Sequence, residues 1–145
     1  MKKMEGLTNS YLEKIGKKIL GRNFLGVYPC DGNPKIKKRK SFYVIFNLSK
    51  HNEKGTHFIA LCLKKKNLYY FDSLGKKLSN INIKKWIKEN KNNWRNLTDF
   101  RIKLQDDFSD FCGFFSLAFL LSKKINISTC KFFSMFDYEE KKEND

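Results

Sequence analysis

Gln105-Asp-Asp-Phe-Ser-Asp-Phe-Cys112-Gly113-Phe-Phe-Ser-Leu-Ala-Phe-Leu-Leu121 runs from a carboxylate-rich loop through a Cys-Gly pair into a segment with almost no polar face. Such a segment predicts a helix buried all round, the centre on which a small domain packs. Cys112 then falls on the first turn, where unpaired N–H groups and the helix dipole favour a thiolate. Asp110 or Ser109 is placed to cap that turn. The plain alternative is a small hydrophobe opening a core helix, the usual role of an intracellular cysteine. Asp106, Asp107 and Asp110 oppose a thiolate unless they turn to solvent or cap the helix.

The chain has 145 residues, enough for one domain with a real core, expected to span residues 1–145. Hydrophobic residues at 41% and aromatics at 15% mark a folded globule rather than a disordered chain. No apolar run approaches the roughly 18 residues of a membrane span. Met1-Lys-Lys-Met-Glu-Gly6 lacks the apolar region of a signal peptide. An intracellular protein without membrane association is therefore expected, in a compartment that disfavours disulfides. The four cysteines, Cys30, Cys62, Cys112 and Cys130, form no Cys-x-x-Cys pair. Zinc is not expected, because only His51 and His57 could complete a site and neither has ligand spacing to a cysteine.

The net charge of +15 is the strongest compositional feature. Lysines cluster at Lys17-Lys18, Lys35–Lys40, Lys64–Lys66, Lys76-Lys77, Lys84-Lys85 and Lys123-Lys124. Such an excess attracts polyanions, so nucleic acid bound without sequence preference is an expected partner. Coding bias in an AT-rich genome would also enrich Lys, Asn, Ile and Phe, but it does not explain the shortage of acidic residues.

Along the chain, Leu12, Ile15 and Ile19 recur at helical spacing behind Thr8-Asn-Ser10, with Gly16 as a weak point and Gly21 as a stop. Phe24–Tyr28 is a short apolar run ending at Pro29, and Cys30–Pro34 is turn chemistry before a basic loop. Ser41–Leu48, Thr56–Leu63 and Leu68–Ser73 read as strands, the last two joined by a hairpin turn at Lys64–Asn67. Ser79–Asn82 offers caps for a helix bearing Ile83, Trp86 and Ile87. Thr98–Leu104 alternates as a strand, a short segment lies around Cys130–Phe136, and residues 139–145 read as a charged, frayed tail. The sum is a single α+β domain, a small, mostly antiparallel or mixed sheet packed on a buried central helix.

Only two histidines exist, so Cys–His chemistry must use one of them. His51 lies in a polar loop. His57 falls inside the Thr56–Leu63 strand and by alternation shares a face with Ile59 and Leu61. In a hairpin turning near Lys65-Lys66, Asp72 lies opposite about residue 59, or nearer 57 with a longer turn, within reach of the His57 ring. Gln105, seven positions before Cys112, is a neutral amide able to donate to a developing oxyanion. Each residue also has an ordinary structural role: a satisfied strand histidine, a strand-end cap, an exposed loop amide. Together they supply nucleophile, base, orienting carboxylate and oxyanion donor.

In this order the residues resemble the adenovirus-type cysteine proteases (adenain), relatives of the SUMO-deconjugating proteases. Phe24-Leu-Gly-Val-Tyr28 is similar to an early segment of that family, and Gly55-Thr-His57-Phe58 to its histidine motif. Tyr70-Phe-Asp72-Ser-Leu-Gly75 resembles its acidic motif, and Gln105 with Cys112-Gly113-Phe-Phe its oxyanion and nucleophile motif. Papain-like enzymes place Gln and Cys before His, so the order His–acid–Gln–Cys is the specific part. The resemblance implies Cys112 as nucleophile, His57 as general base and acid, Asp72 as the group holding the imidazole, and Gln105 with the Cys112 N–H as oxyanion hole. It implies an adenain-like fold and a thiol endopeptidase cutting viral capsid or other precursor polypeptides at Gly-rich sites during virion maturation. No cofactor is required for the chemistry, and DNA is implied as a polyanionic activator. The implied setting is a DNA virus, virophage or virus-like element, with the enzyme in the nucleus or virus factory of the host and packaged in the virion. Phe58 stands where many relatives carry Trp and Asp72 where adenoviral enzymes carry Glu; no cysteine clearly matches the position that binds the adenoviral activating peptide. The competing expectations are a ubiquitin- or SUMO-like deconjugating enzyme, an acetyltransferase of the bacterial-effector type, and a non-catalytic basic nucleic-acid-binding module.

Overall fold

The computed structural model describes residues 9–36, 38–49, 57–104 and 111–136, and the backbone of 139–140. Helix α1 (Asn9–Leu20) leads into strands β1 (Phe24–Pro29), β2 (Phe42–Asn47), β3 (Phe58–Lys64) and β4 (Asn67–Phe71). Helix α2 (Ile81–Glu89) follows, then β5 (Asn96–Asp99), β6 (Ile102–Lys103), α3 (Cys112–Lys124), α4 (Thr129–Ser134) and β7 (Glu139–Glu140). The main sheet has the order β1-β2-β3-β4-β5. Its centre, β2-β3-β4, is antiparallel, and both edges, β1 on β2 and β5 on β4, pair in parallel. The fold is thus α+β with a mixed sheet, as the sequence leads one to expect.

All six residues of β2 are buried, because helices cover both faces of the sheet. Phe42, Val44 and Phe46 with Ile59, Leu61, Leu63, Leu68 and Tyr70 pack under Ile83, Trp86 and Ile87 of α2. Tyr43 and Ile45 with Phe58, Ala60, Cys62 and Phe71 pack under α1, α3 and α4. Strands covered on both faces read as continuous apolar runs rather than alternating ones, which is how β2 and β3 look in the sequence. The β3–β4 turn uses Lys65 and Lys66 at φ of 50° and 67°, the mirror-image geometry of a two-residue hairpin. Asn80 caps α2 by accepting from the Asn82 and Ile83 amides.

Several expectations need correction. The third-layer helix α3 is not buried all round: Phe114 is 61% exposed, while Cys112, Gly113, Ser116, Leu117, Phe119 and Leu120 face inward. The sheet, α1 and α4 cover most of the helix, with Phe132 of α4 packed on Phe119, and leave the side bearing Phe114 to solvent. The residue capping α3 is Phe111, with no side-chain hydrogen bond to the first turn; Asp110 and Ser109 lie outside the described residues. The Thr98–Leu104 strand is two pieces, β5 continuing the main sheet and β6 leaving it to pair with β7. Glu139–Glu140 therefore belong to a small ladder with Ile102–Lys103 rather than to a frayed tail; residues 141–145 lie outside the described residues. Finally, β3 begins at Phe58, so His57 precedes the strand instead of lying in it, and Thr56 lies outside the described residues.

Candidate active site

Three element ends converge at one end of the central β3–β4 hairpin. His57 is the residue before β3, Asp72 the residue after β4, and Cys112 the first residue of α3. The β3–β4 register pairs Ala60 with Phe71, so its continuation sets Asp72 beside residue 59, two positions from His57. Both side chains thus leave the hairpin at the same end. His57 Nε2 lies 2.7 Å from Asp72 Oδ1. Asp72 is only 2% exposed, and the same oxygen accepts from the Leu74 amide at 2.9 Å. The Asp72 carbonyl accepts from Gly75 N at 2.8 Å, closing a turn in which Gly75 holds φ of +70° with Lys103 N 2.9 Å from where a Cβ would stand. Glycine is therefore required there for both conformation and space.

Cys112 is 5% exposed. Its sulfur accepts from the Phe58 amide at 3.4 Å, one residue from His57, and lies near enough to that ring to help raise its pKa. Strand alternation would have sent His57 toward Ile59 and Leu61, but outside the ladder it does not apply, and the ring lies on the α3 side. Burial pulls the His57 pKa down, yet hydrogen bonds to Asp72 and Cys112 and the charges of both prevail, lifting it from 6.5 to about 9. The ring thus holds its proton more strongly than a free imidazole, with a carboxylate oxygen 2.7 Å away.

Packing fixes these positions. A Cβ on Gly113 would fall 2.8 Å from Leu12 Cδ1 and 3.3 Å from Phe58 Cδ2, so the bare glycine lets α3 rest directly on α1 and β3. The Phe71 ring, adjacent to Asp72, stacks on Phe119 of α3 with centroids 4.6 Å apart. Gly16, a weak point in the α1 pattern, has the Phe24 ring 2.3 Å from a would-be Cβ, which accounts for a glycine inside that helix.

Of the four expected site residues, His57, Asp72 and Cys112 come together; Gln105 lies outside the described residues. His51 does as well. The chain before Gln105 is held by Leu104 N, which donates to Ser73 O at 2.8 Å, next to Asp72. Two contributors were missed in the sequence, the Phe58 and Leu74 amides, because backbone groups carry no residue-type signal. All four cysteines are free thiols, three buried and Cys130 exposed. Among the described residues no group of three or more His, Cys, Asp or Glu could hold a metal ion, and no helix is long and apolar enough to cross a membrane.

No family model matches the chain, and no curated protein sequence matches it. Among solved structures, the crystal structure of the selenomethionine ASFV pS273R protease is similar over 93% of this chain and 64% of that one, with 15% sequence identity and a TM-score of 0.65. The chain thus spans less than two thirds of that protein's length, and the likeness at this identity is one of fold.

Proposed function

We propose that the chain is a cysteine endopeptidase whose centre is Cys112, His57 and Asp72. The observation that carries this reading is the His57 ring paired with Asp72 at 2.7 Å, one residue from the Phe58 amide that bonds the Cys112 sulfur at 3.4 Å. A fold shared with a protein described as a viral protease supports it. In the proposed cycle the Cys112 sulfur, its proton already on His57, attacks the scissile carbonyl, and the carbonyl electrons move to oxygen. The Cys112 N–H and Gln105 are the proposed donors to that oxyanion. Collapse breaks the C–N bond, His57 gives its proton to the leaving amine, and a thioester remains. Neutral His57 then takes a proton from water as its oxygen attacks the thioester. The acid product leaves, restoring the thiolate–imidazolium pair. Asp72 keeps the ring oriented throughout.

In finer terms, we read the enzyme as a viral maturation protease of adenain type, cutting capsid or other precursors at Gly-rich sites inside the infected cell and in the virion. DNA is the proposed polyanionic activator, and the +15 charge supports it. The test is cleavage of precursor proteins encoded beside this gene, by wild type and Cys112→Ala. Loss of cleavage in the variant is expected, and full cleavage by Cys112→Ala would sink the reading. A parallel panel of ubiquitin- and SUMO-like fusions separates precursor processing from deconjugation.

A further inference from the structure

The two lysine clusters at Lys64–Lys66 and Lys123–Lys124, far apart in sequence, meet at the end of α3 opposite Cys112. There Lys64, Lys65, Asn67, Lys123, Asn126 and Ser128 line a cavity of about 270 Å³, with no carboxylate among the described lining residues. Lys123 is 7% exposed. Its ammonium donates to Thr129 Oγ1 and lies 4.3 Å from the centroid of the Tyr69 ring, which also lines the cavity. Lys64 Nζ donates to the Lys123 carbonyl and to Asn126 Oδ1. The Asn67 carboxamide oxygen accepts from Asn96 Nδ2 at 3.1 Å, and Ser128 Oγ accepts from Lys131 N at 3.2 Å. With these oxygens engaged, the lining offers N–H and O–H donors around concentrated positive charge. Burying a cation without a carboxylate partner is costly, and burial together with Lys64 lowers the Lys123 pKa.

We propose that this cavity binds a phosphate group, through Lys64, Lys65 and Lys123 as charge partners and the Asn67 and Asn126 amides as further donors. A phosphate supplies several acceptor oxygens and the missing negative charge, and lysine is a common partner for it. The group is either part of a nucleic-acid backbone or part of a free polyphosphate. The site lies on the far ends of β3 and α3, whose near ends carry Phe58 and Cys112. Helix geometry sets it about 18 Å along the α3 axis from Cys112. It is therefore distinct from the candidate centre and stands whether or not Cys112 cleaves peptides.

Calorimetric titration of the full chain with inorganic tripolyphosphate, and separately with a short DNA duplex, tests this. Tripolyphosphate is expected to bind one site, about tenfold more weakly in Lys123→Met and several-fold more weakly in Lys65→Asn, with Cys112→Ala and Lys17→Asn/Lys18→Asn unchanged. Lys65 is an exposed turn residue at positive φ, which asparagine accepts, so this variant decides the matter even where Lys123→Met does not fold. DNA that competes with tripolyphosphate and loses affinity in Lys65→Asn identifies the backbone as the source. DNA that binds Lys65→Asn as well as wild type, while tripolyphosphate does not, identifies a free polyphosphate. No tripolyphosphate binding, or equal binding by wild type and Lys65→Asn, overturns the proposal.

Discussion

The amide of Phe58 points at the sulfur of Cys112, 3.4 Å away, instead of at a neighbouring strand. β4 ends at Phe71, so the edge of β3 at Phe58 has no ladder partner on that side, while Leu48 N bonds His57 O on the other. The hairpin thus presents a backbone donor to the nucleophile. Replacing the residue-58 amide by an ester, with ligation at Cys62, removes this N–H and keeps the ring. Alkylation of Cys112 by iodoacetamide at neutral pH should slow by about three- to tenfold, the scale of one lost hydrogen bond of about 0.7–1.4 kcal/mol. An unchanged rate would show that the contact is packing only.

Accessibility and activation predict opposite orders of cysteine labelling. Cys130 is exposed and Cys112 only 5% exposed, so a passive surface thiol reacts first at Cys130. In the proposed centre the reacting form of Cys112 is the thiolate paired with His57, which alkylates fastest. Brief iodoacetamide treatment at pH 7 followed by peptide mass spectrometry should find Cys112 labelled ahead of Cys130. The reverse order is the outcome expected of a non-catalytic module.

The pH response follows from His57, whose pKa is raised to about 9 in the folded chain. A group raised above its unfolded value stabilises the fold fully below about pH 6.5. That contribution declines as pH rises and is gone above about 9. Cleavage activity should fall over the same upper limb as the imidazolium loses its proton. Asp72→Asn keeps an acceptor for Leu74 N but removes the charge beside the ring, so the upper limb should move to lower pH. Asp72→Ala also loses the turn contact and should unfold at lower urea. Identical pH profiles for wild type and Asp72→Asn would remove Asp72 from this role.

Much of this was legible in the sequence where side-chain chemistry and local period decide. The Asn80 cap, the inward Ile83, Trp86 and Ile87, the Lys65-Lys66 turn and the approach of Asp72 to His57 all follow from such signals. The parallel edge strands did not, because pairing direction depends on what lies across the sheet; Asn96–Asp99 has no apolar alternation and is largely exposed. The exposed Phe114 was misread because a uniformly apolar helix does not state which face its neighbours cover. His57 escaped the alternation rule by one residue, since β3 starts just after it.

Gly113 gives the sharpest test of how packing sets the site. Its would-be Cβ stands 2.8 Å from Leu12 Cδ1 and 3.0 Å from Cδ2, both in a side chain with no exposed surface. Gly113→Ala should gain helix propensity yet cost about 1–3 kcal/mol net, because overpacking forces α1 and α3 apart. The same displacement moves Cys112 from His57 and the Phe58 amide, so activity should fall more than the folded fraction does. Leu12→Ala alone leaves a cavity and should cost about 2–5 kcal/mol. Combined with Gly113→Ala, the new methyl fills part of that space, and the double variant should be more stable than the sum of the single losses by about 1 kcal/mol or more. Urea unfolding of the four chains checks this cycle. Simple additivity would mean that Gly113 does not set the distance between the two helices.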